Sequence, residues 1–587
     1  MILQRLCEAA AHFSFPPFGY QEGPVEWIID LDADGQLLGF VSTPREGRGQ
    51  KRGTRMHHPF VRRTSGVRPQ LLADKASYSL GFAGREPTAK QADDARKQHA
   101  AFVALLSQCA EATNHVPVRS VAQFLAQGLH KAQLPETLTP TDVLTFRVDG
   151  NLLIEGPEVR SCWADHTAST RRGRTTETGA CLVCGRTRPL ADRMPVPIKG
   201  VPGGQTSGCQ IVSANAPAFE SYGRKASLVS PICWECGQRH AEVLNAMLAD
   251  PSYCFRLRDR LAYVFWTRER RGFSAALCLS NPKPDDVKQL FDSAYSGEPD
   301  AADLESFYGL AVSGQKSRVV IRDWFETTLA MVKSNLARYF AAHEVVRPDG
   351  SPSTPLSVRA LAEALIPSRG RNTWAGLPPN LIAWMLSSAL LGRPLPDGLL
   401  ARAVSQARSE HHDPKRPSAD HVTHARAAVI KMALMLSIHR EEGLTVTPEL
   451  AREAQNPAYL CGRLLAVLGN VQEAAQPGIK ATLVDRFYGT ASTAPASVFG
   501  NLIRLAQSHL GKLRKTNMGA YVRLQEALEE VVSPIGEEFP RSLTLTDQGK
   551  FALGYYQQRA ADAAARNEAV AAKKAREAAD TDNEGSE

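Results

Sequence analysis

The chain has 587 residues, 22% charged and 43% hydrophobic, which is too long for one core, so two to four domains are expected. No stretch approaches the roughly 20 apolar residues of a membrane span, and the opening MILQRLCEAAAHF lacks the apolar run and cleavage site of a secretory signal, so a cytoplasmic protein with no membrane partner is expected. Eleven widely spread cysteines fit a reducing compartment better than a disulfide framework, and the net charge of +8 is modest, so its distribution carries the information.

In chain order, VEWIIDLDADGQLLGFVST sets two alternating apolar runs around Asp-Ala-Asp-Gly and predicts a β-hairpin. A basic loop follows, with Arg45, Arg48, Lys51, Arg52, Arg55, Arg62, Arg63 and Arg68 opposed only by Glu46. Guanidinium groups beside small turn residues suit a polyanion surface; a solvated loop is the plain alternative. An amphipathic helix is expected from about Ala92 to Cys109 and another over 119–131. A second hairpin is expected in DVLTFRVDGNLLIEG, around Asp149-Gly150. The alternation predicts a mixed α/β N-terminal region.

A second basic cluster, Arg171, Arg172, Arg174, Arg186 and Arg188, borders the sharpest motif in the chain. Cys181-Leu-Val-Cys184-Gly185 and Cys233-Trp-Glu-Cys236-Gly237 are two C-x-x-C-G knuckles, and four thiolates at that spacing satisfy one tetrahedral zinc. Four sulfur ligands leave no open position for a water, so the predicted cofactor is structural. The 48 residues from Gly185 to Ile232 then form an insertion clipped at both ends. Its glycines, hydroxyls, amides and cations suit phosphate or nucleic-acid contact better than core packing. Lys199 with Gly203 and Gly204 fits approach to phosphates, and Gln205 and Asn215 offer the paired donor and acceptor that read base edges. Thr206, Ser207, Ser221, Tyr222, Arg224 and Lys225 complete this constellation, although glycine and asparagine also simply make turns. Cys162 and His166 read as packing residues, since the knuckles already fill the shell.

ICWECGQRHAEVLNAML opens a helix from the second knuckle, and RLAYVFWTRER and SFYGLAVSGQKSRVVIRDWF read as strands. From about Glu326 apolar residues recur at three- and four-residue steps, which predicts helices separated by proline and glycine joints. The last unit reads as a compact helical bundle, and the tail from Ala560 as a frayed helix running into disorder. The expected class is α+β. Residues 1–325 form an N-terminal α/β domain holding the clipped segment 181–236, and 326–455 a helical linker domain. Residues 456–559 form a C-terminal bundle and 560–587 a tail.

No histidine sits in a metalloprotease, nucleophile-elbow or Walker pattern. Asp93-Asp94 and Asp285-Asp286 lie among polar turn residues and read as capping or solvated groups.

Several blocks in one order point further. MILQRL, VRRTSGVRPQLLADKASYSLG, CLVCG, PIKGVPGGQTSGCQIVSANAPAFESYG, the run from NPAYLCGRLLAVLGNVQEAA to SVFGNLIRLAQSHLGKL, and LTLTDQGKFALGYYQQR resemble the Csd family, from Met1 to about Arg559. These are large subunits of the type I-C CRISPR Cascade complex. The four-cysteine set is read from this sequence and is not carried over from the family.

The resemblance implies a non-catalytic subunit that recognises the protospacer-adjacent motif in double-stranded DNA. It also implies support for crRNA-guided R-loop formation and recruitment of a helicase–nuclease in antiviral defence. The implied partners are crRNA, target DNA and its displaced strand, the Cascade backbone subunits and the small subunit. Candidate contacts beside the duplex are Arg52, Arg55, Arg62, Arg63, Lys75 and the insertion constellation. The resemblance implies that the bundle is like the Cascade small subunit, with Arg463, Lys480, Arg486, Arg504, His509, Lys512 and Lys515 as candidate contacts to the displaced strand. The competing readings are a zinc-containing nuclease or RNA-processing enzyme acting alone, and a general RNA-associated zinc-ribbon protein.

Overall fold

The computed structural model describes residues 2–584 apart from 45–52, 62, 64–65, 129–133, 171–176, 215, 258–259, 270–271, 296–303, 368–377, 411–419, 442–445 and 480–481. Arg52, Arg62, Asn215 and Lys480, with Arg45, Arg48, Lys51, Arg171, Arg172 and Arg174, therefore lie outside the described residues. The chain forms two compact units. The first comprises Met1–Ala249, Arg258–Ala262 and Val312–Arg322, and the second Asp250–Leu257, Tyr263–Ala311 and Asp323–Glu587. The expected joint at 325/326 instead falls inside a strand.

The first unit begins with α1 (Ile2–Glu8), β1 (Tyr20–Val25), β2 (Trp27–Leu31), β3 (Leu37–Ser42), β4 (Thr54–Pro59) and β5 (Ala73–Lys75). Then come α2 (Ala76–Ser79), α3 (Ala89–Thr113), α4 (Val116–Gln127), β6 (Val143–Val148), β7 (Asn151–Leu152) and α5 (Pro157–Thr170). Both predicted hairpins form. In the first, β2 and β3 pair antiparallel with Trp27 opposite Ser42. In the second, Asp149 and Gly150 take φ values of 48° and 79° between β6 and β7, the two positive angles a type I′ turn needs. The sheet runs β3-β2-β6-β5, and β2 lies parallel to β6. Helix α3 buries Phe102, Leu105, Leu106 and Cys109 in one cluster with Ile29 and Phe146 of the sheet. Its polar first turn, beyond the expected start, is held by a reciprocal Thr88–Gln91 capping box. Cys162 packs against this cluster and His166 stacks on Trp163 of the same helix, so both are packing residues.

The rest of the first unit carries β8 (Thr178–Ala180), β9 (Thr187–Pro189) and α6 (Trp234–Ala249). A four-stranded sheet follows, β10 (Cys254–Leu257), β11 (Leu261–Thr267), β12 (Ser306–Gln315) and β13 (Arg318–Thr328), in that order. Between its second and third strands run α7 (Ala275–Ser280) and α8 (Pro284–Tyr295). Asp285 and Asp286 sit in the first turn of α8, and Asp93 pairs with Lys97 at 2.7 Å on α3. Asp285, Asp286 and Asp93 are thus helix-stabilising groups.

Helices fill the remainder of the second unit: α9 (Leu329–His343), α10 (Val358–Glu363), α11 (Pro379–Leu391), α12 (Asp397–Ser409) and α13 (His424–Leu436). They continue as α14 (Pro457–Ala475), α15 (Leu483–Ala491), α16 (Phe499–Thr516), α17 (Met518–Val532) and α18 (Leu545–Glu584). Among the described residues no helix is long and apolar enough to cross a membrane. No boundary separates the middle helices from the bundle, because α18 serves both. Residues 551–558 of α18 are all buried, because helices pack on more than one side of them. On one side a Cβ added at Gly549 would lie 3.1 Å from Leu400 and 3.4 Å from Leu434. On another, α18 crosses α14 by backbone contact. A Cβ at Gly462 would stand 2.0 Å from the Phe551 carbonyl oxygen, and one at Gly554 would stand 2.1 Å from that of Tyr459. Beyond Ala560, where the sequence predicts a frayed helix running into disorder, the helix continues to Glu584, since its alanine-rich sequence has high helix propensity.

The Gly462–Gly554 crossing is testable. Backbone cannot rotate away, so Gly462→Ala must push the two helices apart, at a cost of about 1–3 kcal/mol or more. Thermal melting of the full chain should show a lower midpoint for Gly462→Ala than for Gly500→Ala, whose added Cβ meets nothing within 4 Å.

Candidate metal centre and nucleic-acid interface

The two knuckles fold as their spacing demands. The Gly185 amide donates to the Cys181 carbonyl at 2.9 Å, and the Cys181 amide donates to that of Arg186 at 3.0 Å. Gly185 closes this turn at a φ of 71°, a conformation open to glycine. The second pair straddles the start of α6. The amides of Val183 and Cys233 point at Cys181 Sγ from 3.4 and 3.3 Å. The four sulfurs of Cys181, Cys184, Cys233 and Cys236 all lie within 4.8 Å of one another, with Cys184 and Cys233 at 4.0 Å. Zinc–sulfur bonds of about 2.3 Å would space tetrahedral sulfurs about 3.8 Å apart, so this donor set fits one metal ion. The hydrogen bond from Cys236 and burial hold the Cys233 thiol well above its ordinary pKa, and burial also raises that of Cys184. A divalent cation reverses that preference by stabilising thiolates.

The clipped insertion then builds a ledge. Ile198 and Cys209 exchange backbone hydrogen bonds of 2.8 and 2.7 Å, closing the loop 199–208. Asn245 of α6 anchors its base, accepting from the Lys199 amide at 2.7 Å and donating to the Pro197 carbonyl at 3.0 Å. The far side docks on the hairpin end of β12 and β13. There the Gln205 amide donates to Lys316 at 3.2 Å and that of Gln210 to Ser317 at 2.9 Å. The Gly314 amide donates to Pro202 at 2.6 Å. A Cβ at Gly314 would fall 2.2 Å from the Gly204 nitrogen.

Gly203 and Gly204 thus have a different use from the expected phosphate approach. Gly203 supplies a φ of 74° to a turn in which the Gly204 amide donates to Val201 at 3.1 Å. What projects from the ledge is Lys199, Gln205, Thr206, Ser207 and Lys316, all exposed. Among the described residues the side chains of Gln205, Thr206 and Ser207 have no hydrogen-bond partner.

The remaining sequence candidates divide into free and committed groups. Ser221, Tyr222 and Lys225 are exposed, and Arg224 faces Glu177 at 3.9 Å. Arg55 pairs with Glu22 at 3.1 Å on the β1–β4 ribbon, and Lys75 is exposed. Arg63 is committed inside the fold. Its Nη2 donates to buried Asp74 at 2.6 Å, its Nε to the Arg68 carbonyl at 2.8 Å, and its guanidinium lies 4.0 Å over the Tyr78 ring. Burial pushes the Asp74 carboxyl up, and the Arg63 hydrogen bond draws it back down.

In the second unit, Arg463 corrects the sequence reading outright. It is fully buried, donating to Gln558 at 2.9 Å, Glu530 at 2.6 Å and the Arg452 carbonyl at 3.2 Å, so it joins α14, α17 and α18 and faces no strand. Lys512 donates to the Ala475 carbonyl at 2.7 Å and satisfies the end of α14. Arg486, Arg504 and Lys515 are exposed, and His509 is half-buried. Arg504 and Lys515 stand three turns apart on one side of α16.

Two contributors were invisible to sequence reasoning. Lys316 and Arg318 come from a hairpin more than 100 residues beyond the loop 199–208, and no local signal announces that the two meet. Cys7 is a third neighbour, with its Sγ 3.6 Å from the Cys236 carbonyl.

The family model described as CRISPR-associated protein (Cas_Csd1) matches residues 3–562. The chain belongs to this family. It is therefore a Csd1-type large subunit of the type I-C CRISPR system, as the spaced blocks implied. No curated protein matches the sequence. Membership of a Cascade family brings with it the crRNA and other Cas subunits as complex partners.

The docking of ledge on hairpin is testable within this Csd1 protein. Gly314→Ala should force the loop 199–208 off the hairpin by overpacking. Limited proteolysis should then cut near Gln205 to Gly208 several-fold faster, with helical circular dichroism unchanged.

Proposed function

We propose that the chain recognises the protospacer-adjacent motif in double-stranded DNA through the ledge of its first unit, supports crRNA-guided R-loop formation, and recruits the helicase–nuclease. The carrying observation is the exposed group of Lys199, Gln205, Thr206, Ser207 and Lys316, held between a four-sulfur cluster and a hairpin in a Csd1-family chain. Two cations offer phosphate contact, and an unpartnered amide and two hydroxyls offer base-edge contact beside them. Arg55 and Lys75 are exposed on the same unit and would extend the charged surface. In the second unit, Arg486, Arg504 and Lys515 offer sequence-independent affinity for the displaced strand. The subunit binds and positions rather than catalyses. Four sulfur donors fill a tetrahedral shell and leave no site for an activated water, which makes the cluster a structural zinc site.

Zinc analysis of the native chain should return one ion. Cys181→Ser with Cys233→Ser should lose it and open residues 185–232 to protease. Sites of this kind contribute about 10–16 kcal/mol to folding in small peptides, so the loss will be plain. Native protein free of zinc with every thiol reduced would remove the claim.

The DNA reading is tested in the reconstituted crRNA complex with cognate and altered flanking motifs. Lys199→Ala should weaken all sequences alike and reduce the salt slope by about one. Gln205→Ala should instead relax motif preference, by about 1–3 kcal/mol for a lost bidentate contact. Unchanged affinity and discrimination in both variants would sink the assignment.

A further inference from the structure

Tyr222 is 99% exposed, an unusual state for a large aromatic side chain. Its backbone makes that exposure costly as well as bare. Ser221 and Arg224 pair across a two-residue turn in which Tyr222 and Gly223 take φ values of 52° and 70°. Such a turn favours asparagine or glycine at its first central position, and a bulky aromatic there is strained. In the free chain the ring gains nothing in return, since it packs on nothing. Close by in sequence, Phe219 is 51% exposed and carries the Arg318 guanidinium 3.6 Å over its ring. Lys225 stands exposed three residues on. An aromatic face held out at a strained tip, beside a guanidinium–aromatic stack and a free cation, matches what unpaired nucleotides bind. The cations draw the backbone in, and the ring offers a π face that any base accepts. A purely electrostatic contact would need no ring, and base edges are read by amide, hydroxyl, carboxylate and cationic groups rather than by an aromatic face.

We propose that Tyr222 stacks on an unpaired or duplex-terminal base of the target DNA, making this turn a base-stacking site distinct in chemistry from the polar ledge. The proposal rests on the reading of the insertion as a nucleic-acid surface, and the test separates the two.

Full-length Tyr222→Ala, Tyr222→Phe and Tyr222→Asn chains, and a Lys199→Glu/Lys316→Glu chain, are assembled with crRNA. They are titrated with target DNA carrying a fluorescent aminopurine in or beside the flanking motif. Tyr222→Ala should bind about 5- to 150-fold more weakly, the range for one lost base stack, with the salt slope unchanged. Tyr222→Phe should bind like the parent and quench aminopurine as fully. Tyr222→Asn relieves the strained turn, so its melting temperature should rise while its affinity falls.

Unchanged binding by Tyr222→Ala, with the double charge reversal weakened, overturns stacking and leaves the nucleic-acid surface standing. No effect in either overturns both. A Phe variant as weak as Ala assigns the role to the hydroxyl and overturns the proposal. So does an Ala variant that binds DNA normally but assembles poorly, which marks a protein contact.

Discussion

Four cysteine sulfurs gathered within 4.8 Å are the constraint on which the ledge depends. The hydrophobic cluster around them is small, with Ala191, Met194, Val212 and Ile232 as its other buried members. Ordering a backbone residue costs about 1–2 kcal/mol, and the segment's further buried side chains, Leu190, Ile198, Val201, Cys209 and Ala214, are spread along it. The knuckles add a constraint by joining both ends of the segment at one point. From that point the path to the ledge is short. The second knuckle opens α6, α6 carries Asn245, and Asn245 grips the backbone at Lys199 and Pro197. Helix α1 adds Leu3 and Cys7 to the same cluster.

Close backbone approach is the second recurring device. Gly204 meets Gly314 where the insertion lies on the hairpin, and Gly462 and Gly554 let α14 and α18 cross at main-chain distance. In each case the absent Cβ decides which segments pair. The first pairing brings Lys316 beside Gln205, and the second makes α18 a shared pillar of the whole helical unit. A bundle cut out at Asn456 would lose the packing of α18 on α12 and α13, including the Tyr556–His424 hydrogen bond of 2.9 Å.

Charge follows the same division between scaffold and surface. Arginines at 63 and 463 looked like surface cations in the sequence, yet Arg63 holds buried Asp74 and Arg463, itself buried, holds buried Gln558. Guanidinium suits that task because its five donors can satisfy several acceptors at once. The lysines at 199, 225 and 316, whose strongly hydrated ammonium groups are costly to bury, stay in solvent. A count of cations therefore overstates the polyanion surface.

The sequence by itself determined what depends on neighbours a few positions apart. C-x-x-C-G spacing specified the knuckles, Asp-Gly specified the second hairpin, and three- and four-residue periodicity specified the helices after β13. Ordered blocks along the chain were enough to identify the family. Tertiary structure alone decided which distant segments meet: the insertion on the hairpin at Gly314, α18 on both α13 and α14, and the unit boundary at Ala249. It also decided which cations are buried. The physical reason is range. Turn geometry and ligand spacing are written in consecutive residues, whereas burial and close backbone packing arise from surfaces assembled across more than a hundred.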